Sequence, residues 1–158
     1  MSEMSEEAYN AAMATFSQWG LFFKAVADKL GQEKAFELHE DAAASIGSRY
    51  ETMVNEQYPD GLDLKSFGET TVEGLNAQGW TSELLMDDEN TMTVKMTKCP
   101  RYDGFKMAGL SDEVIKEHCM RQVKILESYM QKADPRVTFD IPLWDAPNGR
   151  CDEVFKLK

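Results

Sequence analysis

All 3 cysteines of this 158-residue chain lie within residues 99–158. Thiols are among the few side chains that can act as nucleophiles or as soft metal ligands. Cys99 ends a predicted strand, Cys119 lies in an amphipathic helix, and Cys151 opens the last predicted strand. Three segments that are distant in sequence can therefore converge on one nucleophilic or metal-binding pocket. The alternative is that the thiols are core residues, because free cysteine is among the most buried residue types.

A carboxylate accompanies the last cysteine. The period of two in the final strand places Glu153 on the face of Cys151, Phe155 and Leu157. If this face points to the core, Glu153 points inward, which is unfavourable unless the carboxylate is paired or used in chemistry. The alternatives are a register shift or a position at the rim of the sheet.

The 2 histidines have different expected positions. The apolar stripe of the second predicted helix turns His39 inward, where a histidine is more often a satisfied core residue than a catalytic one. His118 is rotated about 100° from Cys119 around their helix, so it is expected at the edge of the buried face. Near the cysteines, Arg101 and Arg121 are candidates for binding a substrate carboxylate, since arginine suits bidentate recognition.

Several catalytic signatures do not occur in the sequence. It contains no Gly-rich phosphate loop, GxSxG, HExxH or CxxC motif. With 2 histidines, a His-rich metal site is excluded. A mixed site in which the thiolates of Cys99, Cys119 and Cys151, with one His or carboxylate, bind a thiophilic metal such as zinc remains open.

The elements that position these residues alternate between helical and strand periods. Helices are predicted at residues 6–30, 32–57, 64–75 and 111–132, strands at 80–86, 91–96, 137–143 and 151–157, and an irregular loop at 100–110. The first two helices form an antiparallel hairpin around Gly31. The pattern predicts a single α+β domain over residues 1–158. Residues 1–78 are mainly helical, and residues 79–158 form two β-hairpins with a long helix between them.

Composition excludes several classes of partner. The net charge is −11 and no basic stripe interrupts it, so nucleic-acid binding is not expected. The acidic N-terminus has no signal-peptide pattern and no segment is long and apolar enough to span a membrane. An odd number of cysteines fits a reducing compartment, and we expect a cytoplasmic protein with free thiols. The broad apolar face of the first helix is compatible with a homo-oligomer.

From about residue 91 to its end, the chain resembles the L-2-amino-thiazoline-4-carboxylic acid hydrolase family. The resemblance lies in a strand that runs into Cys99-Pro100, a loop with Gly109-Leu110, and a helix that contains His118-Cys119. It continues in a final hairpin whose return strand begins at Gly149-Arg150-Cys151. The resemblance implies a helical N-terminal part packed on an antiparallel sheet.

The resemblance also implies a reaction. Water adds to C2 of a thiazoline ring and the ring C–N bond breaks, which gives S-carbamoyl-cysteine. This chemistry requires a nucleophile or activated water, a proton donor and a cation for the substrate carboxylate. The candidates are Cys99 or Cys119 as thiolate nucleophile or metal ligand, Glu153 or His39 for proton transfer, and Arg101 or Arg121 for the carboxylate.

Two functions from different classes follow. The first is a small cytoplasmic hydrolase-like enzyme that acts on a non-peptide C–N bond of a small heterocyclic or amidine substrate. The second is a non-enzymatic module whose cysteines hold a metal or line a pocket for an apolar ligand. The 10 methionines and the 10% aromatic content suit an adaptable apolar cavity.

Overall fold

The computed structural model describes residues 3–158, with side chains from residue 6 onward. Its helices are α1 (Glu3–Leu30), α2 (Gln32–Gln57), α3 (Leu64–Ala77), α4 (Pro100–Met107) and α5 (Asp112–Ala133). Its strands are β1 (Thr81–Asp88), β2 (Thr91–Lys98), β3 (Val137–Asp145) and β4 (Arg150–Leu157), with a 3₁₀ turn at Ala146–Asn148 between β3 and β4. The α+β prediction is confirmed.

Helices α1 and α2 form the predicted hairpin. The chain reverses at Gly31, whose φ of 91° is accessible to glycine and rarely to other residues. Helix α1 packs on α4, and α2 packs on α5. At Gly104 of α4, an added Cβ would lie 2.5 Å from the carbonyl oxygen of Met13, so the close approach of α1 and α4 requires a glycine there. Among the described residues, no helix has the length and hydropathy of a membrane span.

The two β-hairpins join into one antiparallel sheet of 4 strands in the order β1-β2-β4-β3. The junction pairs β2 with β4, and it sets Val94 opposite Glu153 and Met96 opposite Cys151. On the covered face, the rings of Phe139 and Phe155 stack with centroids 4.0 Å apart. The core continues from these rings into α3 and α5.

Strand β3 contains an irregularity with consequences for the site. The pairing with β4 shifts register between Asp140 and Leu143, so Trp144 and not Leu143 lies opposite Cys151. A bulge of this kind changes which side chains face the core. The simple alternation predicted Leu143 as inward-facing, whereas Trp144 is the residue that packs against the core.

One further expectation was wrong. Residues 100–107 form helix α4 and not an irregular loop, with Cys99 as its N-cap and Pro100 at its first turn. Proline is favoured at the first position of a helix, and this signal was outweighed by the turn-like Asp103-Gly104 pair. The apolar face of α1 is only partly buried, since Phe22 and Leu30 are 64% and 63% exposed.

Candidate functional site

A cavity of about 250 Å³ lies between the sheet and the surrounding helices. Most of its wall is apolar, with Phe16, Phe67 and Leu126 among the contributors. The chemically active groups in the wall come from four different elements and their junctions: Cys99, Arg101, Cys119, Cys151 and Glu153. The structure thus brings together the three cysteines, the inward carboxylate and one of the two candidate arginines.

Cys99 occupies the N-cap position of α4. Its Sγ accepts a hydrogen bond from the backbone N–H of Tyr102 at 3.5 Å, and the backbone of Arg101 is a second partner. Burial raises the pKa of the Cys99 thiol, while the Arg101 guanidinium and these backbone hydrogen bonds act in the opposite direction. A helix N-terminus and a cation are the features that stabilise a cysteine thiolate. Cys99 is therefore a neutral thiol. Burial disfavours its ionised form, whereas the helix N-terminus and Arg101 favour it.

Arg101 is a largely buried cation without a carboxylate partner. Its Nη1 donates to Gln122 Oε1 at 2.9 Å, and its guanidinium lies 5.3 Å from the centroid of Phe16. With the side chains of residues 6–158 it forms no salt bridge, and its buried Nε has no hydrogen-bond partner there. A buried charge is unfavourable unless it is paired. The arrangement therefore suits an anion that enters the cavity.

Glu153 projects from the central strand β4 into the same cavity. No hydrogen bond from another described residue reaches its carboxylate. Burial raises the pKa of Glu153 to about 7, and Arg101 limits this rise. A carboxyl group with a pKa near the working pH can both accept and donate a proton at useful rates.

The other two thiols are also neutral. Burial raises the pKa of Cys119 to about 11, although Arg101 and a hydrogen bond from the Trp144 side chain oppose the shift. Burial and the neighbouring Glu153 raise the pKa of Cys151 still further. All three thiols are free, and no disulfide joins them.

Two of the candidate residues lie elsewhere. His39 is outside the cavity, and its ring stacks on that of His118 with centroids 3.6 Å apart. His118 is only 6% exposed, so its expected position at the edge of the buried face was wrong. Arg121 does not line the cavity either, because its guanidinium forms salt bridges with Glu33, Glu40 and Glu117 on the protein surface.

The zinc hypothesis does not fit this arrangement. Across residues 6–158, whose side chains are described, no three His, Cys, Asp or Glu side chains are grouped closely enough to hold a metal ion. The charge distribution also disfavours a metal ion at the thiols, because the Arg101 guanidinium interacts electrostatically with Cys99, Cys119 and Glu153. A divalent cation at the thiols would meet this fixed positive charge.

The sequence interpretation did not include three further residues of the cavity wall. Gln122 orients Arg101, and its place one turn after Cys119 on α5 is a signal that could have identified it. Tyr50 belongs to the predicted inward stripe of α2 but was not considered as a site residue. Trp144 reaches the cavity only because of the bulge in β3, which no sequence motif marks.

The comparison with protein families gives one match. The model of the L-2-amino-thiazoline-4-carboxylic acid hydrolase family matches residues 9–141. The likeness is therefore not confined to the C-terminal region, as the sequence interpretation assumed, and it includes the helical hairpin. The matched segment contains Cys99, Arg101 and Cys119, and it ends before β4. No curated protein matches the chain. Because the match covers most of its length, the chain belongs to the L-2-amino-thiazoline-4-carboxylic acid hydrolase family.

Proposed function

We propose that the protein is a hydrolase that opens the ring C–N bond of a small cyclic amidine bearing a carboxylate, with 2-aminothiazoline-4-carboxylate as the substrate. The observation that carries this proposal is the unpaired guanidinium of Arg101 in a cavity that also holds a thiol and a carboxyl group. Family membership supports hydrolysis as the reaction class. The volume of about 250 Å³ is below the range of roughly 300–1,000 Å³ typical of pockets for drug-sized ligands, so a small substrate fits it better.

Arg101 binds the substrate carboxylate in this proposal. A protein with a net charge of −11 repels small anions, so an anionic substrate requires a local cation. Gln122 holds one side of the guanidinium, and no salt bridge with a described carboxylate occupies the remainder of the group. The surrounding apolar wall strengthens the interaction because it excludes water.

Cys99 is the nucleophile and Glu153 transfers the protons. The Glu153 carboxylate accepts the thiol proton, and the Cys99 thiolate attacks C2 of the ring. Glu153 then returns the proton to the ring nitrogen, and a second proton passes through Glu153 from the exocyclic amino group to the same nitrogen. The ring C–N bond breaks, so the ring nitrogen leaves as a primary amine while the exocyclic nitrogen forms a C=NH group. This leaves the substrate carbon bonded to Cys99 Sγ, to the former ring sulfur and to the exocyclic nitrogen. The helix N-terminus, the backbone N–H groups and Arg101 stabilise the thiolate during the step.

Water completes the reaction. Glu153 takes a proton from a water molecule that adds to the same carbon, and passes it to the C=NH nitrogen, which becomes the amino group. The Cys99 thiolate then leaves as the carbonyl forms, and Glu153 transfers the hydroxyl proton of the adduct to it, which restores the thiol. The carbon keeps the water oxygen as a carbonyl, so the product is S-carbamoyl-cysteine and one water is consumed per turnover. The cycle requires a free thiol in each round, and we therefore place the protein in the cytoplasm, where thiols stay reduced.

The test compares two arginines of the same chain. Arg101→Gln should lower kcat/KM for 2-aminothiazoline-4-carboxylate by at least about 30-fold, because it removes the buried charge that binds the carboxylate. Arg121→Gln removes the same charge from the surface cluster and should leave the rate unchanged. Product formation is measured by mass spectrometry of S-carbamoyl-cysteine.

A second pair of variants tests the thiol. Cys99→Ser should reduce the rate by roughly 10³-fold or more, whereas the parent quenched in acid should carry a substrate-derived mass on the peptide that contains Cys99. A parent-like rate in Cys99→Ser would show that Cys99 is not the nucleophile. If that rate is kept and Glu153→Gln is inactive, Glu153 activates water directly.

The binding-module function is favoured by a specific observation. Burial raises the pKa of all three thiols, so in the empty cavity they are neutral groups in a mainly apolar wall. Such a cavity can hold a small anion on Arg101 without chemistry. A parent protein that binds 2-aminothiazoline-4-carboxylate, loses this affinity in Arg101→Gln and shows no turnover would establish this function instead.

A further inference from the structure

A second concave site lies on the other side of α5, between the two helices of the N-terminal hairpin. We call it the hairpin groove, and its volume is about 180 Å³. Helix α1 contributes residues such as Phe22 and Phe23, and α2 contributes Leu38, His39 and Ala42. Phe105 of α4 and His118 of α5 complete the wall. None of these residues takes part in the chemistry proposed for the cavity.

The two histidines of the chain meet in this groove. Their rings are stacked with centroids 3.6 Å apart and planes inclined by 30°. His39 Nε2 and His118 Nδ1 are buried, and neither has a hydrogen-bond partner in the described part of the chain. Buried polar atoms are almost always hydrogen-bonded, so two such atoms in one wall require an explanation. The neighbouring rings of Phe105 and Phe23, with centroids 4.7 and 6.2 Å from that of His118, carry no polar atom.

The electrostatics of the hairpin groove favour an uncharged ligand. Apart from the two histidines, its wall contains no titratable side chain. Burial lowers the pKa of His39 to about 4 and that of His118 to about 2, with Arg101 adding to both shifts. Each imidazole is therefore neutral and offers one N–H donor and one nitrogen acceptor. A carboxylate would find no cation here, whereas a hydroxyl group can donate and accept at the same time.

We propose that the hairpin groove is a second ligand site, which binds an uncharged small molecule with an apolar body and a hydroxyl group. The hydroxyl bonds to the unpartnered histidine nitrogens, and the apolar body lies against the side chains of α1 and α2. Trp19, Phe22 and Leu38 are 49%, 64% and 39% exposed, and they offer apolar surface at this site. His118 is 6% exposed, so a small molecule that enters the groove reaches it more readily than the surface of a second copy of the chain does.

The experiment uses 4-propylphenol as the probe and propylbenzene as its matched hydrocarbon. With histidine labelled with ¹³C at Cε1, the chain gives two imidazole signals, one for each histidine. We expect 4-propylphenol to shift both signals in a saturable manner. Propylbenzene should bind about tenfold more weakly, because it lacks the hydrogen bonds to the imidazoles.

Two alanine variants locate the site. Ala42→Phe fills the groove and should weaken binding of 4-propylphenol by at least about tenfold. Ala11→Phe adds the same ring at an exposed position of α1 outside the groove, and it should bind like the parent. Circular dichroism checks the fold of each variant, and Ala42→Leu is the smaller replacement if Ala42→Phe does not fold.

Three results would overturn the proposal. The first is that the histidine signals do not move with 4-propylphenol, and the second is that propylbenzene binds as tightly as the phenol. The third is a ligand-free dimer in sedimentation that Ala42→Phe converts to monomer, since a second copy would then occupy the groove. A protein that binds 4-propylphenol but shows no hydrolysis would contradict the proposed hydrolase function and not the ligand site in the hairpin groove, because the two sites are lined by different residues.

Discussion

Replacing Glu153 by glutamine is expected to stabilise the protein at alkaline pH while it abolishes hydrolysis. Burial raises the pKa of Glu153 from 4.5 to about 7 in the folded chain. Between these two pH values the folded state holds a proton that the unfolded state has released. The free energy of unfolding therefore decreases as the pH rises from 4.5 to 7, and the loss is complete above pH 7.

The size of this effect follows from the shift. One pKa unit corresponds to about 1.36 kcal/mol, so a rise from 4.5 to about 7 corresponds to about 3 kcal/mol. Glutamine does not ionise, so the free energy of unfolding of the variant does not decrease for this reason as the pH rises. Its amide introduces donors that lack a partner in the cavity, which costs about 1–3 kcal/mol at every pH. The pH-dependent part of the difference between the two proteins is therefore the quantity to measure.

The assay is urea denaturation of the parent and of Glu153→Gln at pH 5 and at pH 8. We expect the stability of the variant relative to the parent to be about 3 kcal/mol more favourable at pH 8 than at pH 5. His39 and His118 also titrate between folded and unfolded states, but they are present in both proteins and their contribution cancels. Asp152→Asn controls for the loss of one negative charge from the same strand.

One outcome would refute the reasoning about Glu153. If the stability difference between the variant and the parent is the same at pH 5 and pH 8, Glu153 is not a buried acid with a raised pKa. Its proposed role as the proton carrier at neutral pH would then lose its physical basis. Hydrolysis measured on the same samples provides the second readout, because a residue that only stabilises the fold would not combine higher stability with lost activity.

Three other predictions concern the fold and the thiols. Gly104→Ala should destabilise the protein by about 1–3 kcal/mol, because its Cβ would overlap the backbone of Met13. Gly74→Ala has open space around it and should stabilise α3 by about 0.5–1 kcal/mol. Thermal unfolding distinguishes the two variants, and equal effects would contradict the packing of α1 on α4. His118 is buried as a neutral imidazole with a folded pKa of about 2, so the unfolded state binds its proton first as the pH drops below 6.5 and the free energy of unfolding decreases. In urea denaturation, His118→Phe should show a smaller decrease of this free energy at acidic pH. Titration of freshly purified, denatured protein should find 3 free thiols, and a count of 1 would show a disulfide.

The convergence of Cys119 and Glu153 was predictable because both residues lie within regular elements, α5 and β4. A helix places every third or fourth residue on one face and a strand places every second one, so each inward position could be assigned without knowing the partner element. The same reasoning gave a wrong prediction for β3, where the strand is irregular. Trp144 enters the cavity because one bulge changes the face of β3, and a bulge depends on pairing with β4, which the sequence of β3 alone does not encode.

His118 and Arg121 show a second limit of sequence reasoning. The rotation of about 100° between His118 and Cys119 was correct, but the conclusion that His118 lies at an edge assumed that α5 packs on one side only. The sheet covers one side of α5 and the α1–α2 hairpin covers another, so two neighbouring residues are both buried in different surroundings. Arg121 follows one turn later at the outer border of that second interface, where the acidic residues of α2 bind it.

The division of the site between elements has a kinetic consequence. Arg101 sits on α4 and holds the carboxylate before and during the reaction, whereas Glu153 sits on β4 and acts only when protons move. An interaction present in both ground and transition states changes KM, and one needed only for the chemical step changes kcat. Arg101→Lys, which keeps the charge but loses the planar fork, should therefore raise KM more than it lowers kcat. Glu153→Asp, which keeps the carboxyl group but withdraws it from the substrate, should lower kcat and leave KM nearly unchanged. Steady-state kinetics of both variants test this division, and the reverse pattern would mean that the strand binds the substrate and the helix carries the chemistry.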